Sequence, residues 1–177
     1  MTVKPIRESG MTFGPFPPGL CFYIEKSQIY RHLQNGVRMA EFLLLRVNKG
    51  NQPVVWIVEA KSSSPRPESP IFERFIEDIR EKLVNAFSLG IAARLKRHPS
   101  WSDELPAAFQ SLVLTDVDFR FVLVIKDHRE DRLPPLQDAL KKALHATVKT
   151  WALAPASVVV LNKMSAARHG LILGSDV

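Results

Sequence analysis

The stretch of sequence that decides the fold runs from residue 37 to residue 61: VRMAEFLLLRV (37–47), NKGNQ (48–52) and PVVWIVEAK (53–61). The first and last of these segments are apolar on both faces in their middle sections, which is typical of strands covered on two sides. The short segment between them contains Asn and Gly, which favour a turn. Together the three segments predict a β-hairpin at the centre of a sheet.

The length of the turn predicts the register of this hairpin. A three-residue loop at 49–51 gives pairs that share one face of the sheet: Leu45/Val55, Leu43/Ile57 and Glu41/Glu59. Directly opposed side chains have Cβ atoms roughly 4.5–5.5 Å apart. We therefore predict that two carboxylates lie side by side, with Lys61 two residues beyond on the same face. Shifting the loop by one residue moves the partner of Glu41 only to Val58 or Ala60.

Two opposed carboxylates need a compensating positive charge. Like charges across a strand pair are unfavourable, and partial burial makes them more so. A hard divalent cation compensates them, because Mg²⁺ takes oxygen ligands and is commonly held by one or two carboxylates. We therefore predict that Glu41 and Glu59 bind Mg²⁺ or Mn²⁺. A metal there, with Lys61 beside it, can position and activate a water molecule for attack on a phosphodiester.

The rest of the chain predicts alternating strands and helices. Predicted strands are Leu20–Lys26, Phe119–Lys126 and Ser157–Asn162, and predicted helices are Gln28–Gln34, Ile71–His98 and Leu133–Trp151. Residues 99–118 either cover a sheet edge or contain a short helix at Leu105–Leu112. This order predicts an α/β fold in which a mixed central β-sheet is flanked by helices.

The composition along the chain predicts two segments. Residues 1–19 are rich in Pro and Gly and form an arm that either lies over the domain or is poorly ordered. Residues 20–177 show no repeat and no break in composition, which predicts a single α/β domain.

The acid, the triplet and the helix, in this order, resemble the PD-(D/E)XK nuclease superfamily. Its signature is an acid on one strand, (D/E)-x-K on the next, and then a helix. Here the matching parts are Glu41 in AEFLLL, Glu59-Ala60-Lys61 in VVWIVEAKSS and the helix at 71–98, within a resemblance that covers about residues 20–126. The resemblance implies a restriction-endonuclease-like core. It also implies that Glu41, Glu59 and the carbonyl of Ala60 are metal ligands and that Lys61 is the catalytic lysine.

The sequence departs from the family pattern in two places. Ala40-Glu41 stands where the signature has Pro-Asp, and the longer Glu side chain changes the geometry of the ligand. The family core usually opens with a helix that can bring another acid. Glu25 is the nearby candidate here, and the sequence leaves open whether its side chain points into the site.

Charge and cysteine content narrow the functional classes. The formal net charge of +6 favours a polyanion such as nucleic acid as a partner, although a basic surface that maintains solubility explains it equally well. No apolar run is long enough to span a bilayer, so we predict no membrane partner. Cys21 is the single cysteine, which excludes an intramolecular disulfide and favours a reducing, cytoplasmic location.

These observations predict a divalent-metal-dependent, nuclease-like protein that hydrolyses phosphodiesters of DNA or RNA. One alternative is a catalytically inactive binding or scaffold module with the same fold. Another is an enzyme of a different α/β fold whose site lies in the loop at 127–132, directly after a predicted strand. In a purely structural interpretation, Glu41, Glu59 and Lys61 only mark where two strands meet solvent.

Overall fold

The structure, a computed structural model, describes residues 4–33 and 35–173. Within them the strands are β1 (Ile6–Glu8), β2 (Met11–Phe13), β3 (Cys21–Phe22), β4 (Phe42–Val47), β5 (Pro53–Lys61), β6 (Asp118–Ile125) and β7 (Val158–Asn162). The α-helices are α1 (Gln28–Leu33), α2 (Phe72–Arg94), α3 (Ala107–Gln110), α4 (Leu133–Thr150) and α5 (Lys163–Arg168). The predicted helix end at Gln34 lies outside the described residues, as do residues 1–3 and 174–177 of the two predicted segments.

Five strands form one mixed sheet in the order β3-β4-β5-β6-β7. Strands β3, β4 and β5 are antiparallel neighbours, whereas β5, β6 and β7 run parallel. The parallel connections pass through α2 and α4, because parallel neighbours need a long crossover. Both helices pack on the same face of the sheet. The predicted α/β fold with a mixed sheet flanked by helices is therefore confirmed.

The sheet separates two apolar cores. The core under α2 and α4 includes Leu43, Ile57, Ile79, Leu83, Phe121 and Leu140. The core on the opposite face is closed by the β1-β2 hairpin and α5, and it includes Phe13, Phe42, Trp56, Val58, Val122 and Ala166. Strand β5 supplies side chains to both cores because successive side chains of a strand point to opposite faces.

The predicted hairpin register is confirmed, but the first strand of the hairpin is shorter than predicted. Leu43 pairs with Ile57 and Leu45 with Val55, while β4 begins at Phe42 instead of Val37. Before Phe42, side chains and not a neighbouring strand form hydrogen bonds with the backbone. Tyr30 Oη donates a hydrogen bond to the Val37 carbonyl at 3.0 Å, and Asn85 Nδ2 donates one to the Arg38 carbonyl at 2.9 Å. The segment before Glu41 therefore leaves the sheet with its carbonyl groups satisfied.

The strand predicted at Leu20–Lys26 is also shorter in the structure than predicted. Only Cys21 and Phe22 pair with β4, and a 3₁₀ turn follows at Ile24–Lys26. Ser27 ends this turn and begins α1, because its Oγ accepts a hydrogen bond from the Tyr30 N–H at 3.2 Å. The turn places Glu25 beside the start of β4, where an extended strand would have carried it away.

Helix α2 ends at Arg94, four residues before the predicted end at His98. Lys96 adopts a left-handed conformation with φ of 55°, which a continuing α-helix does not allow. The Lys96 and Arg97 N–H groups then bond back to the carbonyls of Ala93 and Ala92 and satisfy the helix end. The guanidinium of Arg94 donates to the Leu112 carbonyl and ties this end to the following segment.

Two elements of the structure were not predicted from the sequence. The β1-β2 hairpin lies within residues 1–19, and its Ile6, Met11 and Phe13 side chains are buried against the sheet. Helix α5 follows β7 directly, where the sequence predicts only a tail. Its start is a reciprocal cap, in which Asn162 Oδ1 accepts from the Ser165 N–H at 2.8 Å and Ser165 Oγ accepts from the Asn162 N–H at 2.9 Å. Among the described residues, no helix is both long and apolar enough to cross a membrane.

We expect Asn162→Ala to lower the free energy of unfolding by about 1–2 kcal/mol, because it removes this cap from a buried position. The substitution also removes the hydrogen bond from Asn162 Nδ2 to the His128 carbonyl. Urea unfolding monitored by circular dichroism measures the change. Thr115→Ala, at an exposed position, should change the free energy by less than about 0.5 kcal/mol. Equal stability of Asn162→Ala and the wild type would contradict this role of the cap.

Candidate metal and catalytic site

Glu59 is the most deeply buried charged residue at the candidate site, with 0% of its surface exposed. It lies near the end of the central strand β5, on the face that α2 covers. Its Oε1 forms a salt bridge with Lys61 Nζ at 2.7 Å and accepts a hydrogen bond from Lys82 Nζ at 2.9 Å. Its Oε2 is buried and has no hydrogen-bond partner among the described residues. Two lysines thus compensate one oxygen of the carboxylate and leave the other free.

Glu41 lies beside Glu59, directly before β4. Its N–H donates to the Val58 carbonyl at 3.0 Å, whereas the regular pairing of β4 with β5 begins at Phe42/Val58, so the predicted pair Glu41/Glu59 lies just beyond the strand ladder. Its side chain is buried, and Oε2 has no hydrogen-bond partner in the part of the chain that is described. Burial raises the pKa of Glu41 to about 9, and the negative charges of Glu59, Glu25 and Glu8 add to the effect.

Glu25 and Glu8 complete an acidic cluster around Glu41. The 3₁₀ turn at Ile24–Lys26 places Glu25 here, and its N–H donates to the Glu41 carbonyl at 3.2 Å. Glu8 is the last residue of β1 and reaches the same point from the opposite face of the sheet. One carboxylate oxygen from each of Glu8, Glu25 and Glu41 lies within 4.8 Å of the other two. This spacing suits oxygen ligands of one divalent cation.

A tyrosine and a lysine compensate part of this negative charge. Tyr23 Oη donates a hydrogen bond to Glu8 Oε1. Burial, this hydrogen bond and the nearby carboxylates raise the pKa of Tyr23 well above its usual range, so the phenol keeps its proton. Lys26 Nζ lies 3.0 Å from Glu25 Oε2 and 4.0 Å from Glu8 Oε1.

The carbonyl of Ala60 lies on the side of β5 that faces β4. Backbone groups along a strand alternate in direction, and the Val58 carbonyl already points to Glu41 on that side. The β4 ladder has ended by this position, so the Ala60 carbonyl has no strand partner there and accepts from Ser9 Oγ at 3.0 Å. Ser9 belongs to the turn of the N-terminal hairpin, which thus lies against the site.

The structure brings together every residue that the sequence singled out for the site. Glu41, Glu59, Lys61 and the Ala60 carbonyl meet where the hairpin opens, and Glu25, which the sequence left open, lies next to Glu41. Their catalytic and metal-binding roles stay predictions. The sequence reasoning missed Glu8 and Lys82. Only Lys82 carried a signal, because it lies beside the apolar stripe of α2 that contacts the sheet.

A divalent cation fits the chemistry of these groups. The cluster contains four carboxylates, while the ammonium groups within salt-bridge distance of them belong to three lysines, Lys26, Lys61 and Lys82. Three buried carboxylate oxygens, from Glu25, Glu41 and Glu59, lack a hydrogen-bond partner within the described residues, and of these the Glu25 oxygen lies 3.0 Å from Lys26 Nζ. A buried carboxylate without a partner is unfavourable unless it takes a proton or a cation. The donor set is all oxygen, which suits Mg²⁺ or Mn²⁺.

The loop at 127–132 forms a separate polar groove at the carboxyl end of β6. Both ring nitrogens of His128 contact protein atoms, with Nδ1 3.4 Å from Ser64 Oγ and Nε2 3.1 Å from the Arg132 carbonyl oxygen. Arg129 pairs with Asp131 on the exposed surface. None of the buried, unpartnered polar atoms found among the described residues lies in this loop. The buried polar atoms without a hydrogen-bond partner among the described residues belong to Glu25, Glu41, Glu59 and Ser157.

The raised pKa of Glu41 predicts how stability depends on pH without metal. The folded protein retains the Glu41 proton up to about pH 9, whereas an unfolded glutamate loses it near the ordinary value of 4.5. The folded state therefore binds more protons across this range, and its stability falls as pH rises. In EDTA we expect the free energy of unfolding to fall by up to about 1.4 kcal/mol per pH unit between pH 6 and 8.

Urea unfolding at several pH values measures this slope. Glu41→Gln should remove most of it, because glutamine does not titrate. Glu73→Gln, at an exposed position of α2, should leave the slope unchanged. If the stability of the wild type depended on pH no more steeply than that of Glu41→Gln, the assignment would be contradicted.

Among solved structures, the chain is similar to that of restriction endonuclease FokI, with 16% sequence identity and a TM-score of 0.37. The alignment covers 72% of this chain and 19% of the FokI chain, so this chain spans about a fifth of that protein. No protein-family model matches the sequence. No curated protein matches it either.

Proposed function

We propose that this chain is a divalent-metal-dependent, nuclease-like protein that hydrolyses phosphodiesters of DNA or RNA. The observation that carries the proposal is the buried pair Glu41 and Glu59, each with an unpartnered oxygen, next to Lys61. The order of an acid before β4, an E-x-K triplet ending β5 and then the long helix α2 matches the PD-(D/E)XK signature. Burying two acids side by side is unfavourable without a ligand, which supports a functional reason for keeping them.

Glu41 and Glu59 would hold the metal through their unpartnered oxygens, with the Ala60 carbonyl and Glu25 as further ligands. Glu8 extends this oxygen set from the N-terminal hairpin. When bound, the metal supplies Lewis-acid polarisation of a phosphoryl oxygen and lowers the pKa of coordinated water. Glu41 would release its proton when the cation replaces it, so binding becomes tighter as pH rises towards 9.

Lys61 would act on the substrate side of Glu59. Its side chain is 30% exposed while that of Glu59 is fully buried, so Lys61 lies between the carboxylate and solvent. Its ammonium can donate one hydrogen bond to Glu59 and others to the attacking water or to a non-bridging phosphoryl oxygen. Hydrolysis joins the water oxygen to phosphorus and breaks the bond to the leaving sugar oxygen, while negative charge increases on the phosphoryl group. An ammonium at this point stabilises that charge.

Lys82 would position Glu59. It reaches the same oxygen as Lys61 from α2, with a side chain that is only 20% exposed. With Lys82 holding Glu59 Oε1, Lys61 can turn towards substrate without leaving that oxygen unpaired. Lys82 is therefore a positioning residue in this proposal, and Lys61 is the catalytic residue.

The second candidate function is a non-catalytic binding or scaffold module. The observation that favours it is that Lys61 and Lys82 both bond to Glu59, so this carboxylate is compensated without a cation. In that case the cluster would be a structural ion-pair network, and Glu41 would simply stay protonated. This candidate predicts no change of melting temperature with Mg²⁺ or Mn²⁺.

Metal binding is the first prediction that separates the two functions. At a Mn²⁺ concentration about 100-fold above the dissociation constant, binding stabilises the fold by about 2.7 kcal/mol, or roughly 5–10 °C for a chain of this size. We expect this shift in the wild type, measured by differential scanning fluorimetry in millimolar Mn²⁺ against EDTA. Glu41→Gln and Glu59→Gln should lose most of it, whereas Glu73→Gln should retain it. An identical shift in all four proteins would place the metal elsewhere.

Cleavage is the second prediction. Lys61→Ala should lower the rate of phosphodiester cleavage by about 10²–10⁴-fold, because it removes the group that orients the water and stabilises charge. Its Mn²⁺-dependent thermal shift should remain. Labelled single-stranded and duplex DNA and RNA, incubated with Mg²⁺ or Mn²⁺, provide the assay. Lys141→Ala, on the exposed face of α4, is the matched control and should cleave at the wild-type rate.

Two results would contradict this proposal. Cleavage by Lys61→Ala at the wild-type rate would remove the catalytic role of Lys61. A wild-type protein that binds Mn²⁺ but cleaves none of the four substrates would exclude nuclease activity on them and favour the binding module.

A further inference from the structure

A groove of about 630 Å³ lies on the face of the sheet opposite to α2 and α4. Its floor consists of β4, β5 and β6, including Arg46, Trp56 and Arg120. The segment after the N-terminal hairpin, Pro15–Pro17, forms one wall, and Gly170 at the end of α5 lies at the other. The hairpin and α5 cover the rest of this sheet face, so the groove is the part that they leave open.

Two arginines share one tryptophan on the floor of the groove. Arg120 is the direct cross-strand neighbour of Trp56, and Arg46 lies diagonally from it on the other side. Their Cζ atoms lie 5.0 Å and 4.7 Å from the centre of the Trp56 ring, within the range of a cation–π contact. Trp56 is 6% exposed, so the indole is a fixed platform that holds both guanidinium groups over the groove.

Neither guanidinium has an acidic partner in the part of the chain that the structure describes. Arg46 Nη1 donates to the His169 carbonyl at 2.6 Å, and the groove lining contains no Asp or Glu within the described residues. Partial burial and the charge of Arg120 lower the pKa of Arg46. Burial, Arg120 and Arg46 also lower the pKa of His169. The two guanidinium groups thus lie close together without an ion pair among the described residues, whereas the lysines of the candidate catalytic site are paired.

We propose that this groove binds single-stranded nucleic acid, with Arg46 and Arg120 contacting its phosphates. The planar fork of a guanidinium fits a phosphate group through two parallel hydrogen bonds, and stacking on an indole orients that fork in advance. The exposed apolar residues of the lining, Pro15, Pro17 and Val47, offer surfaces on which bases can pack. The net charge of +6 favours the same ligand.

This inference does not rest on the proposed nuclease activity. Trp56 and Glu59 project from opposite faces of β5, because residues three apart on a strand alternate. The groove thus takes its ligand without any contribution from the acidic cluster. Binding of single-stranded nucleic acid in this groove would remain even if the candidate catalytic site cleaved no substrate.

Fluorescence anisotropy with a fluorescein-labelled 12-nucleotide oligodeoxythymidylate tests the proposal. EDTA in the buffer prevents metal-dependent cleavage. We expect the double variant Arg46→Gln/Arg120→Gln to raise the dissociation constant at least about tenfold, because it removes two charge-assisted phosphate contacts. The dependence of log K on log salt should become shallower by about 1.4, since each phosphate on a single strand contributes about 0.7.

The matched control is Arg31→Gln/Arg97→Gln, which removes the same charge from two exposed arginines outside the groove. It should change the dissociation constant less than about threefold. Because EDTA excludes metal-dependent cleavage from this assay, failure of the nuclease proposal and failure of this one are distinguishable. Circular dichroism verifies that each variant is folded. If the double variant unfolds, Arg120→Gln alone takes its place, because this substitution removes no described hydrogen bond or ion pair.

Three results would overturn the proposal. The first is equal binding by the wild type and the groove variants. The second is an equal loss in the control pair, which would mean that overall charge and not the groove binds the strand. The third is displacement of the oligonucleotide by polyglutamate of matched charge as effectively as by unlabelled oligodeoxythymidylate, which would indicate an acidic protein segment as the ligand.

Discussion

The rest of the structure depends on the compensation of one buried carboxylate, that of Glu59. It lies on the central strand beneath α2, where water cannot solvate its charge. Lys61 reaches it along the strand and Lys82 reaches it from the helix. The contact from Lys82 agrees with the rotation of α2 that buries its apolar residues, such as Ile79 and Leu83, against the sheet. A buried charge left without any partner typically destabilises a fold by about 3–5 kcal/mol, and with two lysines on Glu59 that happens only when both are removed.

Glu41 is a second buried carboxylate at the same place. Its carboxylate shares the space beside Glu59, and the lysines that compensate Glu59 do not satisfy its buried Oε2. Without a cation the favourable solution is a proton, which is why its pKa is raised. Stability alone would favour an apolar side chain or a glutamine at this position. An electrostatically unfavourable group at the opening of a hairpin is the kind of exception that functional sites show.

The parts of the site that could be predicted from sequence are those set by local geometry. The proximity of Glu41 to Glu59 was predicted from a short turn and the two-residue period of a strand, and the structure has the predicted register at Leu43/Ile57. The short turn that brings in Glu25 was not predicted, because the aromatic residues before it also suit a strand. Lys82 and Ser9 approach β5 from 23 and 51 residues away, so their positions depend on the packing of whole elements.

The alternation of side chains along β5 produces both candidate sites of this protein. Odd-numbered residues, from Val55 to Lys61, lie under α2 and end in the acidic cluster. Even-numbered residues include Trp56, whose ring holds Arg46 and Arg120 over the opposite groove. A slip of one residue in the β4-β5 register would exchange the two faces. The register of β4 with β5 and the alternation along β5 therefore place the arginine platform on the face of the sheet opposite to that of Glu59.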